Sequence, residues 1–190
     1  MNELIPRTTK NPNPQGKGCV GVMQDWALVR PQVPRQKSPG DILRDYCLSA
    51  LVLSARFRFR PVLGMPYYLY CGELDWTLSL IGPQEWGHRM PGEFVANCSL
   101  QPDMTWQLEF GELQELSLVP ERLQRFVDGF TASIPCEDSL VQGLPFYVEG
   151  LPYFQRMLAT GLAVSLQHSI NETGSTAVAE KLPALTLAKL

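Results

Sequence analysis

At Ala55 the spacing of apolar residues changes. Upstream, Ile42, Leu43, Tyr46, Cys47, Ala50, Leu51 and Leu53 recur every three to four residues, which places them on one face of a helix. Downstream, Phe57 and Phe59 alternate with Arg56, Arg58 and Arg60, the rhythm of a strand with one covered face. A helix that hides one stripe and strands that hide one side are satisfied by packing on each other. The expected class is therefore α+β, with an N-terminal helix on a small antiparallel sheet and further helices after it.

Local signals set the limits of these elements. Ser38-Pro39-Gly40-Asp41 reads as a helix start: Ser38 caps free amides, Pro39 suits the first turn, and Asp41 sits where the helix dipole favours a carboxylate. The helix is predicted over 39–55 and a first strand over 56–60, ended by Pro61 and Gly64. Pro66–Cys71 and Trp76–Ile81 follow, joined by a loop of hairpin length, with Trp76, Leu78 and Leu80 on one face. Glu93–Leu100 points Phe94, Ala96, Cys98 and Leu100 one way, and Trp106, Leu108 and Phe110 repeat the pattern after a turn. Short connections predict an antiparallel meander of four or five strands.

Residues 1–37 carry Pro6, Pro12, Pro14, Pro31 and Pro34, and read as an extended arm with Trp26 as an anchor. Residues 38–115 form the core domain of helix and sheet. Residues 116–169 read as a helical extension, with helices over 120–131 and 152–168, the second weakened at Gly161. Residues 170–190 are expected to be a flexible tail.

Composition excludes several classes. A net charge of −3 argues against a chain built mainly to bind nucleic acid. MNELIPRTTKNPNPQGKG has no apolar run, and no stretch reaches the roughly 18 residues of a membrane span, so a cytoplasmic protein away from membranes is expected. The five cysteines are scattered and never spaced Cys-x-x-Cys, so they read as small buried hydrophobes.

Four short motifs in fixed order carry a resemblance. They are Tyr67-Tyr68-Leu69-Tyr70, Ser79-Leu80-Ile81-Gly82-Pro83-Gln84-Glu85-Trp86-Gly87, Glu93-Phe94, and Leu100-Gln101-Pro102-Asp103-Met104-Thr105-Trp106, with the 11–18 arm Asn-Pro-Asn-Pro-Gln-Gly-Lys-Gly before them. Over roughly residues 11–110 the chain resembles a small family catalogued as domain of unknown function 2452, with bacterial members and an uncharacterised animal branch. The resemblance supports the architecture. It brings no established activity.

Three groups of residues are candidates for a site. Arg56, Arg58 and Arg60 form a basic ridge that could face phosphates or an acidic partner; charges on a strand face also serve solubility. Tyr68, Tyr70, Trp76, Phe94 and Trp106 fit a core better than a stacking platform, whereas Tyr67 lies opposite Tyr68 and Tyr70, so one tyrosine face should be exposed. Glu85 beside Trp86 could be a desolvated carboxylate acting as acid or base, if Glu93 or Asp103 lay opposite it; otherwise it closes a turn that Trp86 plugs.

No other chemistry has the required spacing. Gln15-Gly16-Lys17-Gly18 lacks the pattern of a phosphate-binding loop, there is no G-x-S-x-G elbow, and His88 and His168 stand apart from any ligand motif. No catalytic residue, metal or cofactor is assigned. The expected function is a non-catalytic module that binds another protein, with Arg56, Arg58, Arg60, Tyr67, Glu85 and Trp86 as candidate binding residues. Two alternatives stand beside it: RNA or nucleotide binding on the arginine face, and an enzyme using Glu85.

Overall fold

A computed structural model describes residues 27, 28, 30–32, 37–112, 117–133 and 152–173. Most of the arm, Trp26 included, and the tail beyond residue 173 lie outside the described residues. The order of elements is α1 (Pro39–Ser54), β1 (Pro66–Cys71), β2 (Trp76–Ser79), β3 (Glu93–Leu100), β4 (Trp106–Phe110), α2 (Val119–Ser133) and α3 (Tyr153–Thr173). The class is α+β, and the four strands form one antiparallel sheet.

Helix α1 begins as its sequence dictates. Ser38 Oγ accepts the Asp41 N–H at 3.2 Å, and Pro39 occupies the first turn. All seven residues of the apolar stripe are buried, and so are Leu48, Ser49 and Val52. The reason is that α1 touches the sheet and α3. Carbonyls at its C-terminal end are taken up in turn: Leu51 C=O by the Ser54 hydroxyl, Val52 C=O by the Ala55 N–H, and Leu53 C=O and the flanking Ala55 C=O by Gln155 Nε2 of α3.

Two expectations for the sheet need correction. Its order is β2-β1-β3-β4, so the chain is not a consecutive meander: β2 and β3 lie on either side of β1. The hairpins β1–β2 and β3–β4 form as expected, and residues 80–92 carry the chain past β1 between them. The predicted strand at 56–60 is reduced to a single bridge, Arg56 to Thr77. The Arg56 N–H donates to Trp76 C=O at 2.8 Å and Leu78 N–H to Arg56 C=O at 3.0 Å, and then the chain leaves β2. Phe57 is buried and Phe59 stacks on Tyr67 with ring centroids 5.3 Å apart, so the alternation serves burial without a ladder.

Strand β2 stops at Ser79, because the Ser79 hydroxyl accepts the Ile81 N–H at 2.9 Å and turns the chain; Leu80 is exposed rather than facing inward with Trp76 and Leu78. In β3 a bulge at Val95 separates the pairs Leu69–Ala96 and Tyr70–Phe94. That extra residue puts Phe94 on the outer face, opposite to the expectation that grouped it with Ala96, Cys98 and Leu100.

The inner face of the sheet carries Tyr67, Leu69, Trp76, Leu78, Ala96, Cys98 and Trp106 into one core with α1. Leu123, Val127 and Phe130 of α2 and Leu158, Leu162, Leu166 and Ile170 of α3 enter that same core. Helix α3 extends five residues beyond the predicted 152–168, and Ile170, assigned to the tail, is buried in it. Arg122 ties α2 to the β1–β2 hairpin: its guanidinium donates to the carbonyls of Gly72, Glu73 and Leu74 and lies 5.5 Å from the Trp76 ring centroid. No described helix is long and apolar enough to cross a membrane.

Candidate functional site

The tyrosines of β1 divide between two enclosed clusters. On the inner face Tyr67 is 2% exposed; its hydroxyl accepts the Val62 N–H at 2.7 Å, and its ring meets Trp106 edge-on. The expectation of one open tyrosine face therefore fails, because residues 57–62 fold across Tyr67. On the outer face Tyr68 and Tyr70 pack against Phe94, and Tyr70 meets Trp86 at 6.3 Å, nearly perpendicular. Tyr70 is fully buried, and burial pushes its phenol above the ordinary value. Sheet order explains both observations, since the crossover at 80–92 roofs the outer face of β1.

The Glu85-Trp86 corner fastens that roof. Glu85 is exposed and its Oε1 accepts the Gly82 N–H at 3.1 Å, while the Trp86 indole and the Tyr70 hydroxyl both donate to the Ile81 carbonyl, at 3.1 and 2.9 Å. Neither expected second carboxylate pairs with it. Asp103 is engaged elsewhere, and Glu93 begins β3 with Oε1 buried and no hydrogen-bond partner among the described residues. The arrangement around Glu85 is that of a turn closed by hydrogen bonds to the backbone.

The arginine ridge is broken up as well. Arg56 pairs with Asp75 at 2.5 Å, and Arg58 is exposed. Arg60 lies at the edge of a surface cleft of about 330 Å³. That cleft was not foreseen. It is floored and walled by Val62, Leu63, Leu100, Met104, Phe154 and Met157, with Leu28 of the arm on one side. Four segments far apart in sequence assemble it. Val62 (57% exposed) and Leu63 (44%) present apolar surface at its mouth.

Met104 shows how the floor is held. It has a φ of 65°, a left-handed conformation that disfavours a side chain, yet it is only 2% exposed. The β3–β4 turn enforces it: Met104 N–H donates to Gln101 C=O at 2.9 Å and Gln101 N–H to Thr105 C=O at 2.8 Å. The one signal for the cleft in the sequence was an apolar pair, Val62-Leu63, placed between Pro61 and Gly64 where a polar turn is usual.

Behind the same turn lies an ion cluster. Lys37 Nζ bonds Asp103 and, at 2.9 Å, Asp45, while Asp103 Oδ1 accepts the Thr105 N–H at 3.1 Å and its hydroxyl at 2.5 Å. Burial opposes both charges, but the mutual hydrogen bonds outweigh it: the Lys37 ammonium is held above its usual value and the Asp103 carboxyl below it. With the Gln32 N–H donating to Pro102 C=O at 2.8 Å, this clamps the arm beside the cleft.

Among the described residues the cysteines and histidines form no centre. Cys47 and Cys98 are buried, and burial pushes both thiols up to about 12. His88 and His168 are exposed on separate elements. Among the described residues no group of three or more His, Cys, Asp or Glu could hold a metal ion. No family model matches the chain and no solved structure matches it, so geometry alone carries the functional reading.

Proposed function

We propose that this protein is a non-catalytic interaction module, and that the apolar cleft beneath the 60–65 segment receives a protein partner. The carrying observation is the cleft itself: about 330 Å³, apolar, with Val62 and Leu63 exposed at its rim. Pockets of this scale, from about 300 Å³, take one or two large side chains. Exposed apolar surface gathered around a concavity is the usual mark of a binding site. Arg60 in its lining, with the exposed Arg58 two residues before it in the chain, selects the partner's chemistry: an apolar anchor flanked by acidic residues, drawn in by charge and held by burial.

The test is fluorescence polarisation with a labelled hexapeptide carrying Leu-Phe between pairs of glutamates. Val62→Asp, which places a carboxylate at the rim, is expected to weaken binding by about tenfold or more, and Arg58→Glu by about fivefold, whereas Glu85→Gln leaves it unchanged. Equal affinity of wild type and Val62→Asp would overturn the reading. So would retention of single-stranded RNA at low salt by a protein that ignores the peptide.

A further inference from the structure

We propose that the outer edge of β4 is a strand-addition site for an extended peptide that alternates apolar and basic residues. The two ends of the sheet are treated differently. At the β2 end, Arg56 caps the edge through its hydrogen bonds with Trp76 and Leu78. At the β4 end only the first residue is capped among the described residues, where the Trp106 N–H donates to Ser49 Oγ of α1 at 2.8 Å.

Backbone direction shows what remains open. The Trp106 N–H points away from β3, whereas the Gly111 N–H points toward it and donates to Val95 C=O. Alternation along β4 then turns the N–H and C=O groups of Leu108 and Phe110 outward. Among the described residues these groups have no hydrogen-bond partner. Trp-Gln-Leu-Glu-Phe has no proline, no lysine and no bulge to close the edge, and its one charge, Glu109, has the sign that a basic added strand would match. Beside the edge, Leu48, Arg44 and Asp45 of α1 face Gln107 and Leu108 across a cleft of about 480 Å³, which gives an added strand a floor and a wall.

The side chains along this edge define the occupant. Glu109 is exposed on the outer face and Glu112 follows it; neither carboxylate has an ion pair among the described residues. A residue opposite Glu109 on an added strand is favoured when basic. Its neighbours point to the other face, where Leu108 and Phe110 are half-buried and Leu48 of α1 shares the cleft with Leu108. Main-chain hydrogen bonds to Leu108 and Phe110 supply the affinity, and the apolar–basic alternation supplies the choice.

Amide hydrogen exchange by NMR on the full chain tests this, with acetyl-Val-Lys-Val-Lys-Val-Lys-amide as probe. The Leu108 and Phe110 amides are expected to exchange fast in the free protein and to slow about tenfold on adding the peptide, while Gln107 and Glu109, bonded to β3, stay unchanged. Glu109→Lys should weaken that peptide by about fivefold and favour a Val-Glu counterpart, and N-methylation of alternate peptide residues should abolish binding. No slowing at about 1 mM peptide overturns the proposal. An unchanged affinity in Glu109→Lys does so as well. Amides already slow in the free protein, together with concentration-dependent sedimentation, would instead place a second copy on the edge.

Discussion

Gln155 tests the way α3 is joined to the rest of the fold. It is 4% exposed, and its Nε2 donates to Leu53 C=O at 3.2 Å and Ala55 C=O at 2.6 Å, at the C-terminal end of α1. Gln155→Leu keeps the volume and removes both donations. Each bond contributes about 0.5–1.5 kcal/mol net, and a buried acceptor left without a donor costs about 1–3 kcal/mol. Two carbonyls are affected, so the loss should be about 2–4 kcal/mol, a large part of the roughly 5–15 kcal/mol that holds a domain together. Urea denaturation followed by circular dichroism should show a lower midpoint with an unchanged slope. Gln167→Leu is the control, since Gln167 is exposed on α3 and bonds only the Asn171 side chain; its effect should stay within about 0.5 kcal/mol. A loss below about 0.5 kcal/mol for Gln155→Leu would mean that α3 does not cap α1 in solution, and the shared core would have to be abandoned.

The Lys37–Asp103 pair makes stability depend on pH. Asp103 is held below its usual value in the folded state, so its contribution is present above the unfolded value of about 3.9 and is lost as pH falls through the lower, folded one. Asp103→Asn should cost about 1–3 kcal/mol at pH 7, because Lys37 loses one of its two carboxylates and keeps Asp45, and the gap from wild type should close as the pH drops below about 4. A gap that persists at low pH would separate the cost from the charge. The Cys47 and Cys98 thiols, pushed up to about 12 by burial, should resist Ellman's reagent at pH 8 until urea unfolds the chain; rapid labelling of either in the native state would place it outside the core.

Much of the architecture was legible because it is written in neighbouring residues. Ser38 and Pro39 start α1 where capping chemistry requires, and Pro66–Cys71 and Glu93–Leu100 were predicted to the residue from alternation between turn formers. Little of the candidate site was legible. Leu28, Arg60, Leu100, Met104 and Met157 meet in one cleft, yet no spacing in the chain links them.

The sequence by itself determined the class of fold, because helix and strand periods are local properties of a backbone with two soft torsions per residue. It also determined that β1 would have two aromatic faces. Only the tertiary structure decided what covers each face. One extra residue at Val95 moved Phe94 to the opposite side, since side chains on a strand alternate and any slip reverses them. The placing of β1 between β2 and β3 then drew residues 80–92 over Tyr70 and enclosed it. Strand order and burial are settled by which surfaces leave water together, and that is a property of the whole chain.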